Sequence, residues 1–83
     1  MELKDTIEMM TSEDYKERFK AEYFQTKIRY EKLHKMLVKN TAGKLEFTPK
    51  CPPYVLQTQA NSMRQYLEQL EVRAEIEGVD LEI

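Results

Sequence analysis

The chain has 83 residues, a formal net charge of −2 and a single cysteine, so it is long enough for one small domain and cannot form an intrachain disulfide. No apolar run can span a bilayer, residues 1–12 contain acidic side chains instead of a signal-peptide core, and the Cys and His residues lack metal-ligand spacing. These features exclude a membrane protein, a disulfide-rich secreted domain and a metal centre, and they indicate a protein of a reducing cytoplasm without a cofactor.

A short amphipathic helix is predicted over residues 1–10, where Leu3, Ile7 and Met10 are spaced by four and three residues. A helix of this length is not stable by itself in water, so it needs a surface on which to pack. Thr11 and Ser12 follow as candidate N-caps for the next helix.

The long helix predicted over residues 12–40 is the main element, because the chain from Tyr15 to Lys39 lacks Gly and Pro and is rich in strong helix formers. One apolar seam has alternating spacings of four and three and consists of Phe19, Tyr23, Thr26, Tyr30, Leu33 and Leu37. A shorter patch consists of Ala21, Phe24 and Ile28. It is rotated around the helix from the seam by clearly more than about 100°. We expect the seam to face a second helix, and the patch to face the N-terminal helix or another copy of the chain.

A loop over residues 41–53 precedes a second helix over residues 54–77. Gly43 can supply a left-handed helix end, and the three prolines of the loop prevent helix there, while Leu45 and Phe47 are expected to cover the end of the core. The second helix has the clearest seam, formed by Leu56, Ala60, Met63, Leu67, Leu70 and Ala74. Gly78 ends this helix, and the alternating pattern of residues 78–83 predicts an extended tail.

These elements predict an all-α fold: an antiparallel two-helix hairpin with a short N-terminal helix and an extended C-terminal tail. Each helix can cover only one seam of the other, so apolar side chains outside the seams lack partners within the chain, and we predict a homo-oligomer. The predicted oligomer interface consists of Ala21, Phe24, Ile28, Val79, Leu81 and Ile83.

Charge is distributed unevenly along the sequence. Residues 27–50 contain seven basic and two acidic side chains, a local net charge of +5, whereas residues 1–26 have −3 and residues 51–83 have −4. Cations close to aromatic rings suit a nucleotide, because the charges bind phosphate and the rings stack on the base. The predicted ligand-binding residues are Arg29, Tyr30, Lys32, Lys39, Lys44, Phe47, Lys50 and Tyr54. A Gly-rich phosphate loop is absent and the basic block is short, so neither an NTPase nor general nucleic-acid binding is predicted.

The residues with catalytic potential are better explained as structural or solvated. His34 lies between Lys32 and Lys35 with no nucleophile or second base nominated by the sequence, and Cys51 is expected to pack as a small apolar side chain in the loop. Acidic pairs such as Glu68 and Glu71 form a solvated helix face, since no inward Glu-x-x-His motif accompanies them. We therefore predict a protein that is not an enzyme.

Several segments resemble a known group of proteins. They are residues 14–23 (DYKERFKAEY), 27–33 (KIRYEKL), 47–52 (FTPKCP) and 73–78 (RAEIEG), together with Leu56, Gln59, Met63, Tyr66 and Leu70. Across residues 12–81 the chain is similar to small helical-hairpin proteins of unknown function encoded by phages and prophages of Gram-positive bacteria. The resemblance implies a phage origin and expression in the cytoplasm of a bacterial host.

The resemblance also implies a role, because small phage proteins often counteract host defence and some hairpin ones act as oligomeric sponges for immune signals. We therefore predict a counter-defence protein that sequesters a host nucleotide signal, of the cyclic oligonucleotide or cyclic ADP-ribose type, in oligomer pockets. The alternative is a protein-binding inhibitor or adaptor that acts on a CRISPR, restriction or transcription component. Its surface would be the patch of Ala21, Phe24 and Ile28 together with the C-terminal tail.

Overall fold

The computed structural model describes residues 1–82, and over this range the chain is all-helical and contains no β-strand. A 3₁₀ turn, Leu3–Thr6, leads into the helical turn α1 (Ile7–Met10), and two long helices follow, α2 (Tyr15–Thr41) and α3 (Pro53–Glu77). The fold class predicted from the sequence is therefore confirmed. None of the helices within residues 1–82 combines the length and the hydrophobicity that crossing a bilayer requires.

The start of α2 is fixed by two capping side chains in the turn before it. The Asp14 carboxylate accepts a hydrogen bond from the Lys16 backbone N–H at 3.0 Å, and the Ser12 hydroxyl accepts one from the Asp14 N–H at 3.0 Å. Arg18 donates to the carbonyl of Ser12 at 2.8 Å. Because Ser12 caps the turn and Asp14 caps the helix, α2 begins three residues later than predicted.

The N-terminal segment packs across the first half of α2. The Gln25 side-chain amide donates to the Thr6 hydroxyl at 2.9 Å and lies 3.4 Å from the Met10 sulfur. Thr6 is buried, and so is Ala21, one turn before Gln25 on α2. The N-terminal helix thus contacts the side of α2 where the sequence predicted either this helix or another copy.

The main core lies between α2 and α3 at the end of the hairpin where the chain begins and finishes. Its buried members are Phe19, Tyr23, Leu67, Leu70, Ala74, Val79 and Leu81. Cross-helix hydrogen bonds surround this core: the Tyr23 hydroxyl donates to Glu71 at 2.6 Å, and the Tyr15 hydroxyl donates to Glu77 at 2.7 Å. We call this the terminal end of the hairpin, and the opposite end the loop end.

The C-terminal tail folds back onto the same core. Gly78 adopts a left-handed conformation (φ 72°) that ends α3, and the Val79 N–H donates to the Ala74 carbonyl at 2.9 Å. Val79 and Leu81 are only 7% and 3% exposed. The sequence predicted that apolar side chains of the tail would be available to another chain. In the structure the hairpin itself covers Val79 and Leu81.

The predicted oligomer interface is therefore not a continuous exposed surface. Ala21 is buried, as are Val79 and Leu81, while Phe24 packs partly buried against the core and Ile28 is half-buried. Ile83, the remaining member of the predicted set, lies outside the described residues. The molecule is elongated, 43 × 25 × 19 Å, with a radius of gyration of 14.9 Å. A compact domain of this length has about 12 Å, so a large part of the helix surface faces outward.

Candidate functional site

Two local features shape the loop end of the hairpin, one at each side of the loop. The α2 helix finishes at Thr41, and the Lys44 N–H donates back to the Lys39 carbonyl at 2.9 Å while Gly43 takes a positive φ of 72°. At the other side of the loop, Pro53 occupies the first turn of α3, where its missing N–H costs nothing. The intervening residues are thereby held close to both helix ends.

A cleft of about 310 Å³ opens within this loop. Its lining residues are Asn40, Gly43, Leu45, Phe47, Thr48, Pro49 and Pro53. The cleft combines one aromatic ring with the side-chain amide of Asn40 and the hydroxyl of Thr48, groups that can bind the edge of a base or a phosphate oxygen. Its volume is at the lower limit of pockets that hold small ligands, which begin at about 300 Å³.

Aromatic rings at the loop end are exposed instead of covering the core as predicted for Phe47. Phe47 is 59% exposed and Tyr54, in the first turn of α3, is 76% exposed. Leu45 is half-buried, as are Pro49 and Cys51. Exposed rings beside a polar cleft are available for stacking, which is the role that the sequence assigned to them.

Three lysines adjoin residues that line the cleft. Lys39 precedes Asn40, Lys44 follows Gly43, and Lys50 follows Pro49, and all three are exposed. Within residues 1–82 the ion pairs involve Lys4, Lys20 and Arg73, so none of them neutralises a cation of the block at residues 27–50. The positive charge of the loop end is therefore available to an anion.

The structure does not bring all eight predicted ligand residues together. Tyr30 lies 11 residues before the end of α2, about 17 Å along the helix axis. At 100° per residue, Lys32 and Lys39 are also about 180° to 200° around α2 from Tyr30, on the opposite face. Tyr30 stacks on His34, with ring centroids 5.6 Å apart and ring planes 15° apart. Arg29 and Lys32 are exposed on α2, away from the loop.

Tyr30 instead lines a groove of about 340 Å³ between α2 and α3, which the sequence did not predict. Lys27 and Arg64 are the cations of this groove, and its acidic residues are Glu31, Glu68 and Glu71. Since the acids outnumber the bases, the groove suits an anion less well than the loop cleft does. No signal in the linear sequence indicated it, because its residues come from two helices.

Tyr23 forms the floor between this groove and the core. Burial, and then the hydrogen bond to the Glu71 carboxylate, raise the pKa of Tyr23 well above its ordinary value. The phenol is thus a fixed hydrogen-bond donor within the hairpin and is not a proton-transfer group at neutral pH. In residues 1–82 no group of three or more His, Cys, Asp or Glu side chains has the arrangement of a metal site.

Comparison with known proteins gave one informative result. The model of the family described as Sequestin matches residues 13–76, which is most of the chain and includes α2, the loop and nearly all of α3. Comparisons with curated proteins and with solved structures gave no significant match.

Proposed function

Because the chain belongs to the Sequestin family, we propose that it is a non-catalytic binding protein that sequesters a small anionic nucleotide at the loop end of the hairpin. The family name is consistent with a sequestering or binding role. The ligand class we propose is a host immune signal, a cyclic oligonucleotide or a cyclic ADP-ribose isomer, trapped by a phage-encoded protein in the cytoplasm of an infected bacterium. The phage origin and the counter-defence role follow from the resemblance described above and are part of this proposal.

One observation supports the location most strongly: within residues 1–82, three exposed lysines without ion-pair partners each adjoin in sequence a residue that lines a cleft with an exposed aromatic ring. Lys39, Lys44 and Lys50 would bind phosphates, and Phe47 would stack on a base. Tyr54 is close to these residues in sequence and is exposed, so it offers a second ring for stacking. Arg29, Tyr30 and Lys32 are not part of this single-chain site, because helix geometry places them elsewhere.

The volume of the cleft has a consequence for the size of the ligand. About 310 Å³ is near the minimum for a bound small molecule, so a ligand with two or more nucleotide units would extend beyond it. We propose that a second copy supplies the remaining surface, which retains the prediction of a pocket in an oligomer.

The alternative of a protein-binding inhibitor is less well supported by the fold. It depended on the patch of Ala21, Phe24 and Ile28 and on the tail, and burial of Ala21, Val79 and Leu81 removes much of that surface. The loop cleft depends on none of these residues.

Isothermal titration calorimetry against a panel of cyclic dinucleotides, cyclic trinucleotides and cyclic ADP-ribose isomers tests the proposal. We expect binding of one class, with recovery of the intact nucleotide after denaturation of the complex. Replacing both Lys44 and Lys50 by Ala should weaken binding by about a hundredfold or more, because each lost charged hydrogen bond is worth roughly 1.5 kcal/mol or more. Phe47→Ala should weaken binding by about fivefold or more, since stacking contributes about 1–3 kcal/mol per base.

Lys4→Ala is the matched control, because Lys4 is an exposed lysine in the N-terminal turn, far along the chain from the loop. It should bind like the wild type. Absence of heat with every nucleotide of the panel would refute the proposed function, and equal affinities of the Lys44, Lys50 double variant and the wild type would refute the proposed site.

A further inference from the structure

The outward face of α3 has a seam without charge. Its positions are spaced alternately by three and four residues, and they are Val55, Thr58, Ser62, Gln65, Gln69, Val72 and Ile76. All of them are exposed, including Val72 at 60% and Ile76 at 78%. At 100° per residue this seam lies about 150° around the helix from the buried seam of Leu67 and Leu70, so α2 cannot cover it.

This lack of charge is unusual for the chain. Charged residues make up 34% of the sequence, and α3 itself contains six of them, yet each of those six lies outside the outward seam. Depletion of charge in the centre of a surface strip is characteristic of protein interfaces, and polar Gln residues in a helical seam fix the register of pairing. A cleft of about 580 Å³ lies along the same strip and offers space for side chains of a facing helix. Gln65, Gln69 and Val72 of the seam line it together with the charged residues Glu68 and Arg73.

Charge distribution identifies the occupant. The loop half of the hairpin, residues 27–64, contains eight basic and two acidic side chains, a net charge of +6. The terminal half, residues 1–26 and 65–83, contains five basic and thirteen acidic side chains, a net charge of −8. Lys27 and Arg64, which mark this division, line the same groove and so lie at a similar level along the hairpin. Each end of one molecule is therefore complementary to the opposite end of another.

We infer that α3 pairs with α3 of a second copy in an antiparallel homodimer along this seam. The seam is about 32 Å long and its centre lies at Gln65, so an antiparallel two-fold arrangement superimposes it on itself. Val55 of one copy then faces Ile76 of the other, and Thr58 faces Val72. A parallel pair would oppose the two +6 ends and the two −8 ends, which is unfavourable. This face differs from the interface predicted from the sequence. The pairing places the −8 end of one copy beside the +6 end of the other, so a copy that completes an anion pocket at the loop end must use a different contact.

Sedimentation velocity over a concentration series tests the seam. The wild type should dimerise at micromolar concentrations, and the double variant Val72→Gln, Ile76→Gln should raise the dimer dissociation constant by at least about tenfold, because two apolar side chains on each copy lose their burial. Both side chains are exposed in the monomer, so the helical circular dichroism should not change. Val38→Gln, at a similarly exposed valine of α2 (52%), is the control and should dimerise like the wild type.

Disulfide cross-linking in a Cys51→Ser background tests the orientation. In the antiparallel dimer the two copies of residue 58 are 14 residues apart along the helix, about 21 Å, far beyond disulfide reach. A mixture of the Thr58→Cys and Val72→Cys proteins should therefore form the mixed disulfide, and neither protein alone should cross-link. Cross-linking of Thr58→Cys with itself, a wild type that stays monomeric, or a dimer insensitive to the double variant would each overturn the inference.

Discussion

The buried hydrogen bond between α2 and α3 gives a direct test of what holds the hairpin closed. Tyr23 is 1% exposed and its hydroxyl donates to the Glu71 carboxylate at 2.6 Å. Phenylalanine at this position would retain the ring contacts with Phe24 (5.4 Å between centroids) and with the Lys27 ammonium (5.8 Å), so Tyr23→Phe removes only the hydroxyl.

The expected cost follows from the type of hydrogen bond. A bond to a charged acceptor contributes about 1.5–3 kcal/mol, and the lower end applies because Glu71 is half-buried and water can replace the hydroxyl. The free energy of unfolding should thus fall by about 1.5 kcal/mol at pH 7. For a domain of this size each kcal/mol corresponds to roughly 4–8 °C, so the melting temperature should fall by about 6–12 °C.

The pH dependence of the difference provides the stricter test. Because the pKa of Tyr23 is raised in the folded state above its ordinary value of 10.0, the unfolded chain releases this proton first as the pH rises. The stabilisation is therefore complete below pH 10 and decreases above it, by up to about 1.4 kcal/mol per pH unit. The Tyr23→Phe variant has no hydroxyl at this position, so it loses none of this stabilisation above pH 10. The unfolding free energies of the wild type and the variant should therefore converge near pH 11.

Urea denaturation followed by circular dichroism at pH 7, 9 and 11 measures both quantities. Tyr54→Phe serves as the control, since Tyr54 is 76% exposed, and its effect at pH 7 should be within about 0.5 kcal/mol. The reasoning would be refuted by a Tyr23→Phe protein as stable as the wild type at pH 7, or by a difference that is as large at pH 11 as at pH 7.

Two further predictions concern the C-terminal segment. Leu81→Ala should lower the free energy of unfolding by about 2–4 kcal/mol, because a 3% exposed side chain leaves a cavity in the core, whereas Val38→Ala should change it by less than about 0.5 kcal/mol. Equal urea midpoints for the two variants would contradict docking of the tail. Gly78→Ala should cost about 1–2 kcal/mol, since alanine is strained at φ 72°, and a thermal melt that coincides with the wild type would contradict that conformation.

The helices of the hairpin could be predicted from the sequence because their seams repeat at helical spacing over many residues. Leu67, Leu70 and Ala74 were assigned to the core from spacing alone, and they are buried. The tail was different: alternation predicts that Val79 and Leu81 share a face, but the direction of the chain after Gly78 decides what that face contacts. That direction depends on one left-handed residue and on a hydrogen bond to Ala74.

The candidate site could be predicted only in part. Clustering of lysines with Phe47 near the loop follows from their closeness in sequence, and in the structure Phe47 lines a cleft while the lysines adjoin other residues of its lining. Tyr30 and Lys32 were grouped with them by distance along the chain, although a rotation of 200° between these two positions separates them on a helix. The polar groups of Asn40 and Thr48 were missed, because a loop with three prolines has no periodicity from which to infer which side chains converge.

Interactions are distributed unequally between the two ends of the molecule, and this bears on function. Side-chain hydrogen bonds join α2 to α3 and its C-cap at the terminal end, where the main core also lies. Tyr15 donates to Glu77 and Tyr23 to Glu71, the Lys16 ammonium donates to the Gly78 carbonyl, and Arg73 donates to the Tyr15 hydroxyl. The loop end has exposed aromatic rings, and its cations form no ion pair within residues 1–82. Segments with few tertiary constraints open at the lowest free-energy cost, and binding loops belong to this class. A hairpin closed firmly at one end can therefore let its loop adjust around a ligand without loss of the fold, as the proposed sequestering role would require.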